Sequence, residues 1–124
     1  MELRDDNPGN MDDKIVFTRL EVEKLHNVKA YIDNNLDAKL TITLLAKEFH
    51  IGTTRLKQGF RKYFKQTIYR YILKQRMEKA KQLLAAGMRV QQVAAETGYS
   101  LTGFSKIFKN YVGVSPMEYK NGDK

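Results

Sequence analysis

The chain contains no cysteine, which excludes a disulfide framework and any thiolate metal site and fits a reducing compartment, so a cytoplasmic location is expected. No apolar run approaches the ~18 residues that a membrane span needs, and the N-terminus lacks the apolar core of a signal peptide. Histidine is scarce. His26 and His50 fall in different segments with no carboxylate at ligand spacing, so no metal site is expected. A glycine-rich phosphate loop and a Ser/His/Asp set are both missing. The acids Asp5, Asp6, Asp12 and Asp13 sit in MELRDDNPGNMDDK, a stretch without apolar period that cannot hold catalytic geometry. The expectation is a protein that is not an enzyme and needs no cofactor. Strand patterns are absent too, and 124 residues suffice for one or two modest cores.

What is present is positive charge, unevenly spread. Residues 1–23 carry three basic and seven acidic side chains, so the net charge of +8 conceals about +12 on the remainder. Positions 55–89 hold eleven Lys or Arg against one acid, Glu78. A solvated helix face usually mixes its signs to gain i,i+4 pairs, whereas this stretch repels itself unless a polyanion supplies the missing charge. Nucleic acid and an acidic membrane surface are the candidates.

The apolar periodicity is helical throughout, and the expected fold class is all-α. Val22, Leu25, Val28 or the Lys29 stem, Ile32 and Leu36 mark a first helix from Arg19 that ends in Asp33-Asn34-Asn35. Thr41 suits the N-cap of a short helix from Ile42 to about Phe49, and Gly52 or Thr53 opens another with Leu56, Phe60, Tyr63 and Phe64 on its buried face. Thr67 caps a long helix, IYRYILKQRMEKAKQLLAA, with Ile68, Tyr71, Ile72, Ala80, Leu83 and Leu84 facing a core, ending at Gly87. Val90–Thr97 is short again, Gly98 is a turn, and Ser100 caps a helix carrying Phe104, Ile107, Phe108 and Tyr111. Ser-Pro-Met-Glu at 115–118 is a capping box with proline at the first helical position.

Two of these stretches say the same thing. LAKEFHIGTTRLKQGF at 45–60 and VAAETGYSLTGFSKIF at 93–108 align without a gap, identical at Ala46/Ala94, Glu48/Glu96, Thr54/Thr102 and Phe60/Phe108. The register extends to Ile42/Val90, Tyr63/Tyr111, Thr67/Ser115 and Tyr71/Tyr119. In each copy a small residue permits close helix crossing, a sharp bend follows four residues on, and a large apolar residue six further packs the second helix back on the first. That is the logic of a helix-turn-helix, whose second helix enters the DNA major groove. In the first copy His50 stands where the second has Gly98; histidine is among the residues enriched at left-handed φ, so the turn is expected to survive.

GYSLTGFSKIFKNYVGVSPMEY resembles the C-terminal signature of the AraC/XylS family of bacterial transcription regulators, and RMEKAKQLL resembles that family's linker helix. The resemblance spans about residues 20–120. It implies seven helices in two helix-turn-helix subdomains joined by a long linker helix, inserting two recognition helices into successive major-groove segments of promoter DNA. The expected boundaries are a disordered leader or interdomain linker at 1–18, a first subdomain at 19–66, the linker helix at 67–87 and a second subdomain at 88–121. Double-stranded DNA is then the principal partner and RNA polymerase a further one, with no membrane partner. Because VFTRLEVEKLHNVKAYIDNN resembles the approach sequence in members with an N-terminal sensor domain, the chain is expected to be the DNA-binding part of a longer regulator, with a stand-alone member lacking a sensor as the alternative. Three departures stand out: His50, Arg89 where a small cap is usual, and Gly59 inside a recognition helix, at ~1 kcal/mol against alanine.

In the first copy Thr53, Thr54, Lys57 and Gln58 lie opposite the apolar stripe and are chemically fit for base edges: lysine for guanine, glutamine for adenine, threonine for a thymine methyl. The resemblance carries base contact to these four, and in the second copy base contact is expected of the outward Leu101, Thr102, Ser105 and Lys106, with Leu101 either touching a thymine methyl or shielding Tyr99. Phosphate contact is expected of Arg61, Lys62, Lys109 and Thr41. The second set is poorer in polar groups, so it is expected to contribute affinity more than base specificity. A helical protein-interaction module and a basic protein of acidic membrane surfaces are the competing readings; the latter would need the apolar stripe of 68–84 for lipid rather than core.

Overall fold

The computed structural model describes residues 14–122, which form seven α-helices and no strand. They are α1 (Arg19–Asn34), α2 (Ile42–Glu48), α3 (Thr53–Phe64), α4 (Ile68–Ala85), α5 (Val90–Glu96), α6 (Leu101–Val112) and α7 (Pro116–Lys120). The chain divides into two compact units, one running through Asn34 and resuming at Leu40–Tyr71, the other comprising Asn35–Lys39 and Ile72 onward. The boundary falls inside α4, so its first residues belong to one core and the rest to another.

The first unit is organised by apolar stripes on three helices. α1 contributes Leu25, Val28 and Ile32, α2 Leu45 and Ala46, α3 Leu56 and Phe60, and Ile68 and Tyr71 close the core. Phe60 sits edge-on to Phe64 (4.6 Å) and Tyr71 (5.6 Å), a preferred aromatic geometry. The Tyr71 hydroxyl donates to Asp33 at 2.5 Å, and burial followed by that bond raises its pKa beyond the usual tyrosine range. Thr18 and Glu21 form a reciprocal capping box at the start of α1: the Thr18 amide donates to Glu21 Oε1 and the Glu21 amide to Thr18 Oγ1.

Gly59 has a packing reason. A Cβ there would stand 2.6 Å from Leu25 Cδ1 and 3.0 Å from Phe17 Cε2, so α3 meets α1 and the preceding segment where only hydrogen fits. This corrects part of the expected leader. Residues 1–13 lie outside the described range, but Phe17 packs against Gly59 with only 9% of its surface exposed, and the Ile15 and Val16 carbonyls are bonded by Lys62 and Arg55 of α3, while the Val16 side chain is 81% exposed. Tyr63 also differs from the expected buried stripe: it is 37% exposed, its ring packing edge-on to Phe17 at 5.8 Å.

The second unit is built around Met77, Ala80, Leu84, Val93, Ala94, Phe104 and Phe108, with Leu83 only half-buried at its edge. Within it the loop Asn35–Lys39 is held by a buried arginine. Arg76 Nε donates to the Leu36 carbonyl (3.0 Å) and its Nη2 to that of Ala38 (2.7 Å), while the guanidinium lies 5.1 Å from the Tyr99 ring centroid. The first helix ends at Asn34, within the expected Asp33-Asn34-Asn35 stop, whereas Leu36, which shares its apolar period, lies beyond it and is buried in the second unit.

Candidate nucleic-acid interface

The two repeat copies fold with matching hydrogen bonds. In the first, Phe49 N–H donates to Leu45 O and Ile51 N–H to Ala46 O; in the second, Thr97 N–H donates to Val93 O and Tyr99 N–H to Ala94 O. The bend between them requires a left-handed residue, met by His50 at φ 55° and Gly98 at φ 82°. His50 is tolerated because its side chain is exposed, and its carbonyl accepts from Lys24 Nζ at 2.7 Å. Gly98 has no such freedom. A Cβ there would meet Arg76 Nη2 at 2.8 Å and the Leu36 carbonyl at 2.9 Å.

Each bend delivers a twelve-residue helix, α3 or α6. Leu56 and Phe60 in one, Phe104 and Phe108 in the other, are fully buried, which at ~100° per residue turns the opposite stripe outward. Thr54, Gln58 and Arg61 on α3 then stand where Thr102, Lys106 and Lys109 stand on α6. Thr53, Thr54 and Lys57 are exposed and Gln58 half-exposed; Leu101 (47% exposed), Thr102 and Lys106 are exposed and Ser105 half-exposed. The predicted base-contact residues therefore gather in two sets, one per unit.

The predicted phosphate contacts are less uniform. Lys109 is exposed and Arg61 half-exposed. Thr41 caps α2, its hydroxyl oxygen accepting from Leu44 N–H at 3.1 Å while the O–H remains able to donate. Lys62, by contrast, turns its ammonium inward to the Ile15 carbonyl at 2.7 Å. Arg55 is similarly occupied, binding Glu21 through two bonds of 2.6 and 3.1 Å and the Val16 carbonyl at 2.8 Å. Those bonds to Arg55, then the Thr18 amide, hold the Glu21 carboxyl well below the usual carboxylate range, at about 2. Both partners are thus charged throughout the physiological pH range.

Sequence periodicity did not single out Arg55, Glu21, Phe17 or Arg76 for these roles. Thr18-x-x-Glu21 before an apolar run was a legible capping-box signal; the rest depend on contacts between distant residues. His26 packs edge-on against Phe64 at 5.2 Å, and no group of three or more potential metal ligands occurs among the described residues.

Comparison with known proteins places this geometry. The family described as a helix-turn-helix domain matches residues 45–122. The HTH-type transcriptional regulator GbdR of Pseudomonas aeruginosa is 32% identical over 101 residues, covering 80% of this chain and 28% of GbdR. The HTH-type transcriptional regulator GadX of Escherichia coli is 34% identical over 92 residues, 72% of this chain and 33% of GadX. The chain thus spans about a third of the length of these curated relatives. Among solved structures, the C-terminal domain of AraT, a response regulator from Geobacillus stearothermophilus, superposes with a TM-score of 0.77 at 26% identity, covering 85% of this chain and 88% of that one. The DNA-binding domain of AdpA, solved in complex with a target DNA, gives a TM-score of 0.73 at 23% identity over 79% of this chain and 90% of that one, a likeness of fold.

Proposed function

The chain belongs to the AraC-type family of helix-turn-helix domains, and from that membership we propose that it is the sequence-specific, double-stranded DNA-binding domain of a bacterial transcription regulator. α3 and α6 are the recognition helices, each entering a major-groove segment of promoter DNA. The observation that carries this reading is the twofold presentation of the same outward positions by helices anchored on buried aromatic residues.

Thr53, Thr54, Lys57 and Gln58 read bases from α3, and Leu101, Thr102, Ser105 and Lys106 meet the groove from α6. Arg61, Lys109 and Thr41 grip phosphates. Lysine and glutamine side by side give α3 a donor for guanine O6/N7 and a donor–acceptor pair for adenine, so sequence preference concentrates there. A bilayer role is not supported, because the apolar residues of α4, Ile68, Tyr71, Met77, Ala80 and Leu84, are spent in the cores, and no described helix is long and apolar enough to cross a membrane. In the full regulator, RNA polymerase and an N-terminal sensor domain are the further partners, and the cysteine-free composition suits the cytoplasm.

Selection from a random duplex library tests the assignment. Lys57→Ala and Gln58→Ala should each cost ~1–3 kcal/mol on the preferred site and relax one or two base pairs, while Arg61→Ala weakens all sequences alike. An unchanged sequence preference in both α3 variants would remove α3 from the reading role.

A further inference from the structure

The segment that leads into α1 is tied to one flank of the first recognition helix. Arg55 and Lys62, seven residues apart and thus nearly in line along α3, both spend their charge on it. Arg55 chelates Glu21 and the Val16 carbonyl with its guanidinium 4.3 Å from the Phe17 ring centroid. Lys62 Nζ binds the Ile15 carbonyl and lies 5.8 and 5.6 Å from the Phe17 and Tyr63 ring centroids. Between these cations lies Gly59, whose missing side chain admits Phe17.

The second copy lacks every part of this arrangement. Counting 48 residues on, Arg55 becomes Gly103, Gly59 becomes Ile107 and Lys62 becomes Asn110. Three substitutions thus fall on one flank, and together they remove both cations and the slot for an aromatic ring. The outward positions differ as well, at Thr53/Leu101, Lys57/Ser105, Gln58/Lys106 and Arg61/Lys109, so it is the joint loss of both cations and the slot that marks this flank.

We propose that Ile15–Thr18, with Glu21, form a strap that withholds Arg55 and Lys62 from DNA, and that releasing it adds these two cations to the phosphate-binding set of the first recognition helix. The inference rests on the reading of α3 as a DNA-facing helix. The Arg55 and Glu21 side chains are 36% and 23% exposed, so on release both charges pass to water and neither is left buried and unpaired. The strap's main anchor is the Phe17 ring. A displacement of Ile15 and Val16 acts directly on the carbonyls that occupy the two cations.

The test is the salt dependence of binding to a generic duplex, in which each added phosphate contact steepens the slope of log K against log salt by ~0.9. The double variant Phe17→Ala/Glu21→Gln should be steeper than the parent by ~0.9–1.8, and adding Arg55→Met and Lys62→Met should return it to the parental value. Glu23→Gln removes an acid from the same helix without freeing a cation, so it should leave the slope unchanged. In the otherwise native chain, Lys62→Met should leave the slope unchanged as well, and that arm needs no disruption of the strap. A parental slope that drops by ~0.9 on Lys62→Met, or a folded strap variant with unaltered slope, overturns the proposal. A parent chain without salt-dependent DNA affinity would instead overturn the reading of function on which it rests.

Discussion

Replacing Gly59 with alanine sets two effects of similar size against each other, and the structure decides the sign. Gly59 lies in the body of α3, where alanine is worth ~0.8–1 kcal/mol more than glycine by helix propensity. The added methyl, however, would lie 2.6 Å from Leu25 Cδ1 and 3.0 Å from both Leu25 Cδ2 and Phe17 Cε2. Leu25 is fully buried and cannot swing into solvent, and overpacking of this kind costs ~1–3 kcal/mol. The difference is a net loss of ~1 kcal/mol, which for a unit of this size lowers the melting temperature by ~4–8 °C.

Thermal and urea unfolding of the purified domain read this directly, and a double-mutant cycle identifies the cause. Leu25→Ala alone should cost ~2–5 kcal/mol by leaving a cavity, but it deletes both δ-carbons that the new methyl meets. The pair Leu25→Ala/Gly59→Ala should therefore be more stable than the sum of the single losses by ~0.5–3 kcal/mol. A Gly59→Ala variant that melts several degrees above the parent, or a strictly additive cycle, would refute the close-approach argument and return Gly59 to a plain propensity defect.

Three further substitutions probe the turns and the second unit. Gly98→Ala should destabilise by ~2 kcal/mol or more, combining a left-handed β-carbon with the contacts to Arg76 and the Leu36 carbonyl, whereas His50→Gly at the matching turn should stay within ~1 kcal/mol of the parent; equal effects in denaturant melts would contradict the distinction drawn between the turns. Arg76→Met leaves the carbonyls of Leu36 and Ala38 without their donor and should cost ~1–3 kcal/mol for each that stays buried, read as lost amide protection in Asn35–Lys39 on hydrogen exchange. Tyr71→Phe should flatten the alkaline fall in melting temperature: the folded-state pKa is raised above the ordinary value of 10.0, so stability present below that value is lost as pH rises beyond it, and a parallel fall in both proteins would exclude Tyr71 as a cause.

The repeat and both turns were legible because a helix-turn-helix fixes the spacing of a few residues along one short stretch. Ala46 and Ala94 accept the bond that closes each turn, and Leu56 and Phe104 are buried as that spacing demands. The seven helices followed from the same local signals: Thr41, Thr67, Ser100 and Ser115 all accept the capping bonds that their positions promised. What stayed hidden was set by contacts between residues 34 to 47 positions apart, as in Arg55–Glu21, Arg76–Leu36 and Lys62–Ile15. Arginine and lysine inside a basic helix look like solvated charge until a carbonyl is found at the end of each.

Gly59 shows how a local cost becomes informative. By propensity it is a defect, and by the alignment of the two copies it is an anomaly opposite Ile107. Both puzzles resolve through one ring, because the space that Ile107 fills with its own side chain is met in the first unit by Phe17 and Leu25. The buried aromatics Phe60 and Phe108 are identical because each copy must fold back on itself. The flank bearing Arg55, Gly59 and Lys62 departs from Gly103, Ile107 and Asn110, and Ile15, Val16 and Phe17 meet α3 along it. On this flank the two copies thus differ together with what the helix touches, since the cations and the glycine of α3 meet Ile15, Val16, Phe17 and Glu21.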